Sequence, residues 1–266
     1  MLRRDVCRMG VSLVCVGGAG VAVAQVVDLP EAINKAGRQR MLSQRMGKAY
    51  LAMVQNVEPT LARDVMDRSL ALFDRQLVEL RGFAPSRDIR DTYAALESEW
   101  SRYKLALVGA PPARAGVADV LSASSKTLAL ANQGTAQYEA AHAKPLGKLV
   151  NIAGRQRMLS QRIAQFYLAS TVPFDVATAQ SVIATARQEF VAAMGTLRNA
   201  PEATSRIRDE LTLADAQWAF LEAALARALA SAGAASPKAM RDVFLASENL
   251  LTVMDRVTGM YATLST

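Results

Sequence analysis

The residues of this sequence best suited to chemistry are six arginines standing in two identical settings. Ala36-Gly37-Arg38-Gln39-Arg40-Met41-Leu42-Ser43-Gln44-Arg45 recurs letter for letter as Ala153-Gly154-Arg155-Gln156-Arg157-Met158-Leu159-Ser160-Gln161-Arg162, 117 positions further on. Six of the ten identities are polar. A stretch kept only for core packing would hold its apolar letters and let the others drift. A guanidinium is a planar fork of N–H donors that matches a planar oxyanion, so the chemistry these residues suit is anion binding.

Placed on a helix at about 100° per residue, Leu42, Met46, Ala49 and Met53 form one stripe, matched by Leu159, Ile163, Phe166 and Ser170. That stripe faces its own core. Gly37, Arg40, Met41, Gln44 and Lys48 form a second stripe, with Gly154, Arg157, Met158 and Gln161 as counterparts. Arg38 and Arg45 fall on a third side, and Arg155 and Arg162 are the same letters in the second copy. A helix with a second, polar face is made to meet another partner, and its own repeat is the obvious one. Glycine lets two helix backbones approach closely, which would bring Arg40 and Arg157 together across a pseudo-twofold axis in a semi-buried place. Two facing guanidiniums repel, and a small anion between them turns repulsion into charge-assisted hydrogen bonds of about 1.5–3 kcal/mol each. The competing reading pairs the arginines with bundle carboxylates such as Glu79, Asp91, Glu97 or Glu189, and has Ser43 and Gln44 satisfy each other.

These stretches must be carried by helices. A first helix is expected from Glu31 to about Gln55 after Pro30, and a second from Leu61 to Phe83 after Pro59. A third runs from Arg87 to Val108 and a fourth from Val117 to Ala143. The second half repeats the plan, with a turn at Pro145-Leu146-Gly147 and a helix that carries the second motif to about Ser170. Phe190 and Leu197 follow Phe73 and Leu80 by 117, Trp218 follows Trp100 by 118, and Tyr138 and Tyr261 close the two halves. The last helix is expected over Lys238 to about Leu264. The fold class predicted is all-α, two tandem up-down-up-down four-helix bundles over residues 25–143 and 144–266 that form an intramolecular pseudo-dimer.

A hydrophobic share of 51% with 21% charged and 6% aromatic residues suits such helices. Residues 1–24 read differently: Arg3, Arg4 and Arg8 head an apolar run that ends in Ala22-Val23-Ala24. This is the pattern of a cleaved signal peptide, with the mature chain starting at Gln25. An uncleaved anchor and export by a twin-arginine route are the alternatives. Cys7 and Cys15 both lie in that segment, so no disulfide or thiolate site is expected beyond it. Without residues 1–24 the balance is 28 basic against 23 acidic. In an exported chain this charge suits small anions, lipid surfaces or acidic proteins rather than nucleic acid. His142 is the only histidine and is placed at a helix end or surface. No metal-ligand cluster, Gly-rich phosphate loop or nucleophile elbow appears, so neither a cofactor nor an enzymatic role is expected.

The string Asn34-x-Ala36-Gly37-x-x-Arg40-Met41-x-Ser43-x-Arg45 is similar to the periplasmic signature of bacterial nitrate/nitrite sensor kinases. With Gln39, Leu42 and Gln44 it resembles more fully the related input domain of type IV pilus chemotaxis transducers; together these are the PilJ/NarX-like sensor domains. In the nitrate sensors two subunits bring their first helices together around one nitrate. The resemblance therefore implies ligand arginines at Arg40 and Arg157 and close-approach glycines at Gly37 and Gly154. Lys35 matches the family in the first copy but Ile152 replaces it in the second, and Arg38 and Arg155 fit the pilus-type branch better than the nitrate sensors.

The expected function is a free-standing periplasmic sensor or binding protein, monomeric as a pseudo-dimer, with no kinase or methyl-accepting segment of its own. It would hold a small anion, or another small ligand, between its two first helices. The ligand-binding set is Gly37, Arg40, Met41, Gln44, Gly154, Arg157, Met158 and Gln161, supported by Lys35, Arg38, Arg45, Arg155 and Arg162. The alternative is an adaptor that docks a membrane-bound receptor or a pilus or chemotaxis component through the same stripe, with no small ligand.

Overall fold

The computed structural model describes residues 26–230 and 236–264. The expected signal peptide and both cysteines lie outside the described residues. Eight α-helices are found there: α1 (Leu29–Val54), α2 (Pro59–Phe83), α3 (Arg87–Val108), α4 (Val117–His142), α5 (Pro145–Ala169), α6 (Val176–Arg198), α7 (Ser205–Ala230) and α8 (Pro237–Ala262). A short 3-10 turn at Arg114–Gly116 leads into α4, and no strand occurs among the described residues.

Local sequence explains where these helices begin and end. Asp28 caps α1, accepting the Glu31 N–H at 2.8 Å. Ser86, Asp175 and Ser236 do the same for α3, α6 and α8, each cap contributing about 1 kcal/mol. Proline sits in the first turn of α1, α2, α5 and α8, where no N–H partner is lost. Between α4 and α5 lie only Ala143, in the left-handed region at φ 55°, and Lys144, which is extended. That tight turn ends α4 and sends α5 back antiparallel to it.

In the first bundle α1 packs on α2 and α4, and α3 on α4; in the second α5 packs on α6 and α8, and α7 on α8. Equivalent contacts tie the two bundles to one ancestral pattern. Phe73 stacks on Trp100 at 4.0 Å between ring centroids, and Phe190 on Trp218 at 4.1 Å. Tyr138 donates to the Leu80 carbonyl at 2.8 Å, and Tyr261 to that of Leu197 at 2.9 Å. The fold is two tandem four-helix bundles.

The bundles join along α1 and α5, flanked by contacts of α1 with α8 and of α4 with α5. Gly37 meets Gly154, Gln44 meets Arg162, and Gln55 meets Leu168. The pairing advances in the same direction on both helices, so α1 and α5 are parallel, as required for a pseudo-dimer of one repeated unit. Both are buried on nearly every side, and one apolar cluster runs through both bundles.

Candidate functional site

At the centre of this contact the two glycines face each other. A β-carbon at Gly37 would lie 3.1 Å from Arg40 Nη2 and 3.5 Å from Arg157 Nη2. At Gly154 it would lie 3.2 Å from Arg157 Nη2 and 3.6 Å from Arg40 Nη2. Both guanidiniums thus fill the space the missing side chains leave, side by side across the pseudo-twofold axis. They are buried more deeply than expected, at 1% and 0% exposure. Each donates to a backbone carbonyl of the opposite first helix: Arg40 Nη2 to Asn151 O at 3.2 Å, and Arg157 Nη2 to Asn34 O at 3.0 Å. Arg40 Nε and Arg157 Nε have no protein acceptor, nor do the buried Asn34 Oδ1 and Asn151 Oδ1 a donor.

The symmetry breaks at the last helix of each bundle. Arg157 Nη1 donates to Asp255 Oδ1 at 2.5 Å, whereas Arg40 Nη1 donates to Asn132 Oδ1 at 3.2 Å. Asn132 and Asp255 are equivalent positions, each six residues before the closing tyrosine. Of the two buried cations, only Arg157 has a carboxylate in contact. Burial, then Arg155 and Arg157, lowers the Arg40 guanidinium to about 9. Burial also lowers Arg157, but Asp255 opposes it and leaves the group at about 10. Both stay charged at neutral pH.

The other motif residues divide between the bundles. Gln44 Nε2 donates to Ser124 Oγ at 3.0 Å in its own bundle, and Gln161 Nε2 to the Ser247 carbonyl at 2.9 Å in its own. Met41 and Met158 are buried. Arg38 and Arg45, expected on a third side of the helix, find a partner helix there. Both reach α8 of the other bundle, Arg38 to Asp255 at 2.9 Å and Arg45 to Glu248 at 2.5 Å. An α-helix packed on four neighbours has no idle side. Lys48 joins Glu248 at 2.6 Å. Lys35 instead bonds Glu31 and Glu79 within its own bundle, each at 2.8 Å, and so serves the α1–α2 contact. The competing reading, arginines paired with bundle carboxylates, holds for Arg38, Arg45, Arg155 and Arg157, although of the carboxylates named for it only Glu189 takes part, with Arg155 at 2.6 Å. Glu79 takes Lys35, Asp91 takes Arg87, and Glu97 takes Arg81.

Sequence reasoning missed Asn132, Asp255, Ser125 and Glu248. The signal that finds them is the pair Tyr138 and Tyr261, whose spacing of 123, rather than 117, aligns α4 with α8.

A family model described as type IV pili methyl-accepting chemotaxis transducer N-term matches the chain twice, over residues 22–136 and 138–243. The chain belongs to this family. Each match takes in one motif helix, so the family's domain is carried twice in one polypeptide. No curated protein and no solved structure matches the chain. The family is one of sensory transducer domains, and among the described residues no helix is long and apolar enough to cross a membrane.

Proposed function

We propose that the protein is an extracytoplasmic sensory binding module, exported by a cleaved signal peptide, that holds a small anion where its two repeats meet. The observation that carries this reading is the pair of side-by-side, fully buried guanidiniums of Arg40 and Arg157 with one contacting carboxylate and two unpartnered Nε–H donors. A buried charge without a paired counter-ion costs several kcal/mol, and a bound anion offsets that cost in the folded state alone. Binding would then tighten the contact of α1 with α5, the element through which a second protein could sense occupancy. No catalytic step is assigned to it.

The adaptor alternative placed a partner on the stripe of Arg40, Met41 and Gln44. That stripe is buried against α5 and α4, so a partner protein would meet another face.

The test is a thermal-shift series with nitrate, nitrite, sulfate, phosphate and small carboxylates. A ligand at a hundred times its Kd adds about 2.7 kcal/mol, or a Tm rise of about 5–11 °C at roughly 2–4 °C per kcal/mol. Arg40→Ala and Arg157→Ala should each remove most of that rise. If no anion shifts the wild type at millimolar concentration, the binding reading is wrong.

A further inference from the structure

The two repeats solve the same electrostatic problem differently, and the difference marks a site. On one flank, α8 presents Glu248 and Asp255 to the first motif helix, where they hold Arg45, Lys48 and Arg38 as well as Arg157. On the opposite flank the equivalent residues of α4 are Ser125 and Asn132. Neither can neutralise the arginines of α5 that face them. Lys48 has Gln165 as its counterpart, so the cation is absent where Glu248 is absent. Arg162, unlike Arg45, makes no ion pair. It donates to Gln44 Oε1 at 2.9 Å and lies 4.8 Å from the Phe166 ring centroid. In the other bundle Arg45 is drawn to Glu248, and the matching Gln161 Oε1 is left buried without a donor.

Where carboxylates stand on one flank, a cleft of about 380 Å³ opens on the other, between α4, α5 and α6. Its polar lining includes Arg155, Arg162, Ser125 and Asn132, and Leu159 and Met158 form an apolar, buried floor. Ser125 and Asn132 are exposed to solvent, so the cleft is reachable from outside. Arg40 backs it through Asn132, whose Oδ1 also accepts from Arg155 at 3.4 Å. Glu189 is the one carboxylate in the lining, and its pair with Arg155 is more than a third exposed on both sides. Such a pair is worth about 0–1 kcal/mol and yields readily to a competing carboxylate.

We infer that this cleft binds a linear dicarboxylate whose two ends take the places that Glu248 and Asp255 occupy in the other repeat, one on Arg162 and one on Arg155 and Asn132. The template residues are seven apart on α8, about 10.5 Å along the helix axis, and the floor between the two arginines is apolar. An aliphatic chain between two carboxylates matches that order, and the volume suits a small organic molecule. The inference rests on the proposed anion-binding function and extends it to a second place, lined by neither Arg40 nor Arg157, and to one ligand class.

The test uses the purified protein with succinate, adipate and suberate as probes, and nitrate and sulfate beside them, read by calorimetry and thermal shift. At least one dicarboxylate should bind, and Arg162→Gln should weaken it at least tenfold. The decisive variant is the double exchange Ser125→Glu with Asn132→Asp, which copies the other repeat into the exposed rim of the cleft and does not disturb a core. It should raise the Tm of the free protein by about 2–4 °C or more and cut dicarboxylate affinity at least tenfold. Dicarboxylate binding that survives the double exchange overturns the cleft. Binding of nitrate or sulfate alone, lost in Arg40→Ala but intact in the double exchange, also overturns it while leaving the broader anion-binding function standing. Silence from every anion removes both.

Discussion

Arg40 and Arg157 are the same letter at equivalent places, yet their electrostatic situations differ. Arg157 has Asp255 at 2.5 Å, and Arg40 has the neutral Asn132. In the ligand-free protein Arg157→Gln should therefore cost about 1.5–3 kcal/mol, the worth of a charge-assisted bond. Arg40→Gln should cost less than about 1 kcal/mol or stabilise, because it relieves the burial of a cation with no carboxylate in contact. Urea unfolding at neutral pH separates the two. The carboxylates give a second residue-level test. Burial alone would raise Glu248, but Lys48 and Arg45 outweigh it and hold the group at about 2, against an ordinary 4.5. Burial would also raise Asp255, and Arg157 and Arg38 hold it at about 2. A carboxyl depressed by folding stabilises fully above its unfolded value and loses that contribution as pH falls through its folded one. For Glu248 the contribution is of order 3 kcal/mol, present above about pH 4.5 and gone near pH 2. Stability measured from pH 6 to 2 should fall more steeply in the wild type than in Glu248→Gln. Parallel curves would show that Glu248 is not held low.

At the scale of the helix, close approach of α1 and α5 depends on Gly37 and Gly154. An alanine at Gly37 needs only a few tenths of an ångström from the flexible end of Arg40, 3.1 Å away, and gains about 1 kcal/mol of helix propensity. Gly37→Ala should thus stay within about 1 kcal/mol of the wild type. Gly37→Leu has no room between the guanidiniums and should cost about 3 kcal/mol or more, seen as a lowered Tm. The helices themselves were largely legible in the chain. Pro59, Pro145 and Pro237 start elements, Ser86 and Asp175 cap them, and the apolar spacing sets their inner faces. The motif stripe was legible too, because identity over ten letters needs no alignment. What escaped was the partner side. Ser125 and Asn132 share no letter with Glu248 and Asp255, and their spacing of 123 departs from the motif's 117. The helix wheel put Arg38 and Arg45 on a third side but could not name α8 as the neighbour there, since which helix lies beside a given face is a tertiary fact.

For the whole molecule, duplication within one chain allows the two halves to diverge, as separate identical subunits cannot. A dimer of the second repeat alone would set Glu248 and Asp255 against Arg162 and Arg155 on both flanks. A dimer of the first would set Ser125 and Asn132 against Arg45 and Arg38, leaving those arginines without α4 carboxylates. The isolated fragment 144–266 should therefore self-associate at least tenfold more tightly than fragment 26–143, a difference sedimentation equilibrium resolves. The intact chain combines one flank of each kind, and the cleft opens on the flank that lacks the carboxylates. The most direct measurement of this account is the binding stoichiometry of the best anion by titration calorimetry on the intact protein. One ligand per chain, lost with Arg40→Ala, is the predicted result. Two equivalent ligands per chain, or none at millimolar concentration, would contradict it.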